Sequence, residues 1–115
     1  VGKRRTEDEW EQHIFDTERD LQNYIIKRLN ELIKEGKPIW YVKVADRYTP
    51  GIPDLILSVG GRFLAVELKR NRKSRLTKLQ AETLMRIGRS GGASIVACTW
   101  GEVKSAIEQL LDDVV

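Results

Sequence analysis

Residues 54–69 read DLILSVGGRFLAVELK, two short apolar runs joined by a pair of glycines. Gly60 and Gly61 suit the positive φ angles of a two-residue hairpin turn, so the runs predict antiparallel strands over 54–59 and 62–69. With that turn Val59 pairs with Arg62, and counting outward brings Asp54 opposite Glu67. Side chains paired across strands have Cβ atoms roughly 4.5–5.5 Å apart, and two like charges there destabilise the pair unless something positive lies between them. A hard divalent cation suits the position, magnesium above all, because it takes carboxylate oxygens and keeps waters and phosphate oxygens. Strand alternation adds Lys69 to the face of Glu67 and turns Leu64, Val66 and Leu68 to the other. An ammonium there can offset charge growing on a phosphate, or help deprotonate an attacking water. The plainer alternative is an edge hairpin whose acids face solvent. The strongly apolar character of both strands argues against it.

Upstream, Asp16 or Thr17 can cap a helix whose Leu21, Ile25, Leu29, Leu32 and Ile33 recur at helical spacing, with Gly36 and Pro38 to stop it. Residues 39–44, IWYVKV, are β-branched and aromatic and predict a strand, followed by the turn-rich DRYTPGIP. Downstream, Thr77 and Gln80 have the spacing of a capping box at the head of a helix that carries Leu79, Thr83, Leu84 and Ile87 and ends at Gly91-Gly92. Residues 93–98 predict a buried strand. Val103, Ile107, Leu110 and Leu111 predict a last helix beginning at Gly101 or Glu102. The order αβββαβα implies an α/β fold, a mixed sheet flanked by helices. The expected organisation is a single domain over 17–115 preceded by an N-terminal extension, 1–16.

A chain of 115 residues can bury one core. The net charge of +3 excludes little, but its distribution is informative: KRNRKSRLTK, from Lys69 to Lys78, holds six cationic side chains and no acid. A basic side of this kind attracts polyanions, nucleic acid first among them, although a solvated basic loop has the same composition. Cys98 is the only cysteine, lies in the apolar run ASIVAC, and is read as a small buried hydrophobe. With no disulfide framework, membrane span or signal-peptide core in the sequence, a reducing, cytoplasmic location is expected. His13 has no partner at metal-ligand spacing, which argues against zinc, and is read as a surface residue. Trp40 and Trp100 are read as packing residues rather than base-stacking platforms.

The pattern GIPD (Gly51, Ile52, Pro53, Asp54), a hairpin, ELK (Glu67, Leu68, Lys69) and then Gln80 in LTKLQ resembles the PD-(D/E)XK nucleases, and among them the VRR-NUC branch in its stand-alone phage and bacterial type. The resemblance covers roughly residues 17–103 and implies a restriction-endonuclease-like core. It further implies a magnesium- or manganese-dependent endonuclease in which Asp54, Glu67 and the backbone carbonyl of Leu68 hold the metal. Lys69 would position or activate the water, and Gln80 would join the catalytic set. Glu18 matches an acid that some relatives aim at the metal, although an acid in a first helical turn is favoured by the helix dipole alone; Gln22 lies one turn on. Arg70, Arg72, Lys73, Arg75 and Lys78 follow the catalytic strand and are expected to hold the phosphate backbone, joined by Arg47 from the loop before GIPD; Tyr48 of the same loop could touch the substrate but is read as packing on the surface. By analogy with the family, the substrate is branched DNA such as a four-way junction, cut by a homodimer to leave 5′-phosphate and 3′-hydroxyl ends. The competing reading is a nucleic-acid-binding module without turnover. A restriction-type enzyme ranks below both, for little chain remains to read a sequence.

Overall fold

The computed structural model describes residues 4–45 and 48–112. Its elements run α1 (Glu7–Gln12), α2 (Glu18–Lys34), β1 (Ile39–Lys43), β2 (Leu55–Val59), β3 (Arg62–Leu68), α3 (Lys78–Arg89), β4 (Ala93–Ala97) and α4 (Trp100–Asp112). Beyond the additional α1, this is the αβββαβα order that the periodicity dictates. The four strands form one mixed sheet in the order β1-β2-β3-β4, antiparallel except for the parallel β3–β4 pair that α3 connects. Helices flank the sheet, giving a restriction-endonuclease-like α/β fold. Among the described residues no helix is long and apolar enough to cross a membrane.

The hairpin sets the register. Gly60 (φ 57°) and Gly61 (φ 82°) both take the left-handed conformation that a two-residue turn of matching twist requires. Val59 pairs with Arg62 and the ladder continues to Leu55 opposite Val66, as the sequence predicts. One face of the sheet is the core. Leu55, Leu57, Val59, Leu64, Val66 and Leu68 pack there against Leu21, Ile25 and Leu29 of α2 and Trp100, Val103 and Ile107 of α4, all buried. Thr17 caps α2 by accepting from the Asp20 amide at 3.0 Å, and Gly36 (φ 93°) ends it. α4 begins one residue before the expected start, because Thr99 caps it by accepting from the Glu102 amide at 3.2 Å.

Four expectations are corrected. Part of the stretch read as an extension is helical: Thr6 and Glu9 form a capping box, and α1 packs on α4. Its Glu11 pairs with Lys104, its Glu7 pairs with Arg28 at 2.9 Å, and a Cβ at Gly101 would lie 2.6 Å from the Glu11 carbonyl. His13 is half-buried rather than on the surface, with its ring edge-on to Phe15 at 4.5 Å beside Trp10 and Tyr24. The last strand lies at the sheet edge and is only partly buried, with Val96 40% exposed. Trp100 is fully buried as expected, but Trp40 is 61% exposed and packs no core.

Candidate active site

Antiparallel pairing carries Asp54 and Glu67 to the open end of the hairpin, one step beyond the Leu55–Val66 pair. Asp54 Oδ2 accepts from the Leu68 amide at 2.7 Å, a charge-assisted bond that turns its carboxylate across to β3. The preceding loop is fixed as well. Gly51 (φ 81°) lies so close to α3 that a Cβ there would stand 2.6 Å from the Leu79 carbonyl, and Pro53 is buried. The GIPD turn thus holds Asp54 and the head of α3 in one arrangement.

Glu67 is 2% exposed and points from β3 toward α3. Its Oε1 accepts from Gln80 Nε2 at 3.1 Å, whereas no donor reaches its buried Oε2. The same Gln80 accepts through Oε1 from Lys69 Nζ at 2.9 Å and from the Thr77 amide at 2.9 Å. Lysine and a backbone amide can only donate, so the amide orientation is determined by its partners. Gln80 is therefore a capping-box residue and a site residue at once. One side chain, in the first turn of α3, ties the acid to the lysine.

Burial, and after it the nearby Asp54 carboxylate, push Glu67 up from 4.5 to about 8; Lys69 acts in the opposite direction and Glu18 adds to the rise. Two carboxylates that face each other are both acceptors, so without a proton or a cation between them Oε2 has nothing to receive. The donor set fits a hard divalent cation: paired carboxylates, one carrying an orphaned buried oxygen. Glu18, exposed in the first turn of α2, is felt electrostatically, with half-buried Gln22 one turn further on. Yet among the described residues no three His, Cys, Asp or Glu side chains lie close enough to hold an ion together. Any further ligand must come from elsewhere, such as the Leu68 carbonyl or water.

Arg70, Arg72, Lys73, Arg75 and Lys78 are all exposed on the segment that leaves β3 for α3. Asn71 shapes this segment by accepting from the amides of Lys73 (2.9 Å) and Ser74 (3.2 Å). Arg72 is turned aside to pair with Glu102 at 3.5 Å. Arg47 lies outside the described residues; Tyr48 is 95% exposed. Glu102 was not singled out from sequence, although Thr99 and Glu102 have the T-x-x-E spacing of a helix cap. Burial pushes its carboxyl up, but donors from the Cys98 amide and thiol, Thr99 and Arg72 outweigh that and hold it below the usual range. Cys98 is buried, as expected, and burial pushes its thiol up. A cavity of about 540 Å³ lies beside Glu102, between α1, β4 and α4, away from Asp54 and Glu67. The carboxylate pair instead opens onto the outer face of the sheet.

The mixed four-stranded sheet, its single parallel pair and the helices that flank it define an α/β fold with a restriction-endonuclease-like core. A solved structure of a VRR_NUC domain superposes on this chain with a TM-score of 0.62 and 19% identity, covering 85% of this chain and 97% of that one. The fold is that of a VRR_NUC domain. No protein-family model matches the sequence, and no curated protein matches it.

Proposed function

We propose that the chain is a nuclease of the VRR-NUC branch, a metal-dependent endonuclease that hydrolyses DNA phosphodiester bonds. The observation that carries this reading is the buried Glu67, set beside Asp54 with one oxygen lacking a donor and joined through Gln80 to Lys69. A purely structural acid has no reason to be buried next to another one. Asp54, Glu67 and the Leu68 carbonyl would hold magnesium, or manganese in its place, with Glu18 adding negative charge from α2. Bound metal supplies Lewis-acid polarisation of the phosphate and a more acidic water. Lys69, its ammonium anchored on Gln80, orients the attacking water and stabilises charge on the phosphoryl oxygens. In-line attack forms the new P–O bond and breaks the bond to the 3′ oxygen, which takes up a proton, leaving 5′-phosphate and 3′-hydroxyl ends.

The exposed basic segment 70–78 holds the phosphate backbone on either side of the cut. Branched DNA, such as a four-way junction, is the substrate within this reading, cut by a homodimer in the cytoplasm. The test is cleavage of labelled four-way junction, splayed-arm, duplex and single-stranded DNA with magnesium, beside Glu67→Ala and Lys69→Ala. Each variant is expected to lose cleavage by about 10²-fold or more, and chelator to abolish it. Binding that persists in chelator with no cutting of any substrate would replace this reading with a non-catalytic binding module, and a monomer on the junction would remove the dimer.

A further inference from the structure

The outer face of the sheet is covered unevenly. α3 packs on β4, where a Cβ on Gly92 would stand 2.9 Å from Ile87 of α3 and 3.0 Å from the Phe63 ring. β1 is left open, with Trp40 61% and Val42 40% exposed. Register places these side chains on the face of the candidate site: Trp40 is opposite Ser58, itself opposite Phe63, and Val42 is opposite Ile56, itself opposite Ala65. Phe63, Ala65 and Glu67 alternate onto one side of β3. Along the four strands this face carries a single charged residue, Glu67.

The size of the open area selects its occupant. Two strands ~4.8 Å apart and two rows ~6.8 Å apart give an area on the order of 10² Å², against the roughly 800 Å² per partner of a stable protein interface. A second copy of the chain would need far more. A flat ring on an exposed indole needs no more than this. Trp40 lies four residues along the strand direction from the Glu67 row, ~13–14 Å, or about four nucleotides at the 3.4 Å spacing of one stacked strand. The patch is also continuous with the carboxylates that would hold the scissile phosphate.

We propose that this open quarter of the sheet is a base-stacking subsite, in which Trp40, flanked by Val42, Ile56 and Phe63, takes an unpaired nucleobase of the strand leaving the cleavage site. The proposal rests on the nuclease reading and deepens it: among branched substrates the enzyme favours those with an unpaired base a few nucleotides from the cut, such as splayed arms, over a fully paired four-way junction. A base inside a duplex cannot present its flat face to the indole, so Trp40 discriminates single-stranded flanks from duplex without reading sequence.

The test is binding of fluorescein-labelled oligothymidylate and of a blunt duplex to the wild type, Trp40→Ala and Trp40→Phe, by anisotropy, with calcium in place of magnesium. Trp40→Ala is expected to bind oligothymidylate about ten-fold or more weakly with duplex affinity unchanged, and Trp40→Phe, which keeps a ring, to restore the single-strand affinity. Oligothymidylate should quench a component of wild-type tryptophan emission that Trp40→Phe lacks. Thermal melting checks the fold of the variants, which an exposed side chain leaves intact. Equal affinities of wild type and Trp40→Ala for both ligands would overturn the subsite alone; failure of the wild type to bind either would overturn the nuclease reading with it. A dimer that Trp40→Ala converts to a monomer would assign the patch to a second copy instead.

Discussion

Glu67 concentrates the physical conflict of the molecule in one carboxyl group. Its proton affinity is raised in the folded chain to about 8 from an ordinary 4.5, by burial first and Asp54 second. The folded state therefore holds a proton that the unfolded state has released throughout that window. The associated stability is complete below about pH 4.5 and is lost as pH rises toward 8. Metal-free protein is expected to lose on the order of a few kcal/mol across this range relative to Glu67→Gln, read as a wild-type melting temperature that falls toward the alkaline side faster than the variant's. Parallel curves would show that Glu67 titrates normally. Gln80→Ala removes the cap on Thr77, the anchor of Lys69 and the donor to Glu67 together. Losing the cap should cost about 1 kcal/mol, seen in denaturant melts, while cleavage falls by about ten-fold or more as both site partners lose their position.

At the scale of elements, two glycines with similar backbone angles should respond differently to a methyl group. Gly61 (φ 82°) has nothing within reach of an added Cβ, so Gly61→Ala carries only the left-handed strain, about 1 kcal/mol. Gly51 (φ 81°) would drive its Cβ into the Leu79 backbone. Gly51→Ala should exceed that cost by about 2 kcal/mol or more, displacing the head of α3 and lowering cleavage, as paired chemical denaturation and activity assays would read. These elements also mark where sequence reading reaches its limit. The hairpin and its register were legible because two glycines fix the turn and alternation fixes the faces. The mutual placement of Asp54, Glu67, Lys69 and Gln80 was legible for the same reason, each at a counted distance from a turn or a cap. Helix α1 was not, since six residues show no amphipathic period; only Thr6 and Glu9, the two ends of its capping box, signalled it. The exposure of Trp40 was invisible too, because an apolar strand reads the same whether or not a helix covers its outer face.

For the molecule as a whole, charge acts through number more than placement. If, as proposed, the exposed cations of segment 70–78 neutralise phosphates, affinity for duplex should fall with salt at a slope of about 0.9 per contact on logarithmic axes. Replacing Lys73 and Arg75 together should reduce that slope by about two, measured by anisotropy titrations at several salt concentrations. An unchanged slope would move the backbone contacts elsewhere. Cohesion is unevenly spread as well: α2 and α4 each bury three side chains completely or nearly so, while α3 buries none. Elements with few buried contacts open at a lower free energy than the whole fold. Because the Thr77 amide is closed by the same Gln80 oxygen that receives Lys69, fraying of that first turn and disassembly of the acid–lysine set are one event. The hydrogen-exchange rate of a single backbone proton, at Thr77, is then a clock for how often Glu67 and Lys69 lose their common tether.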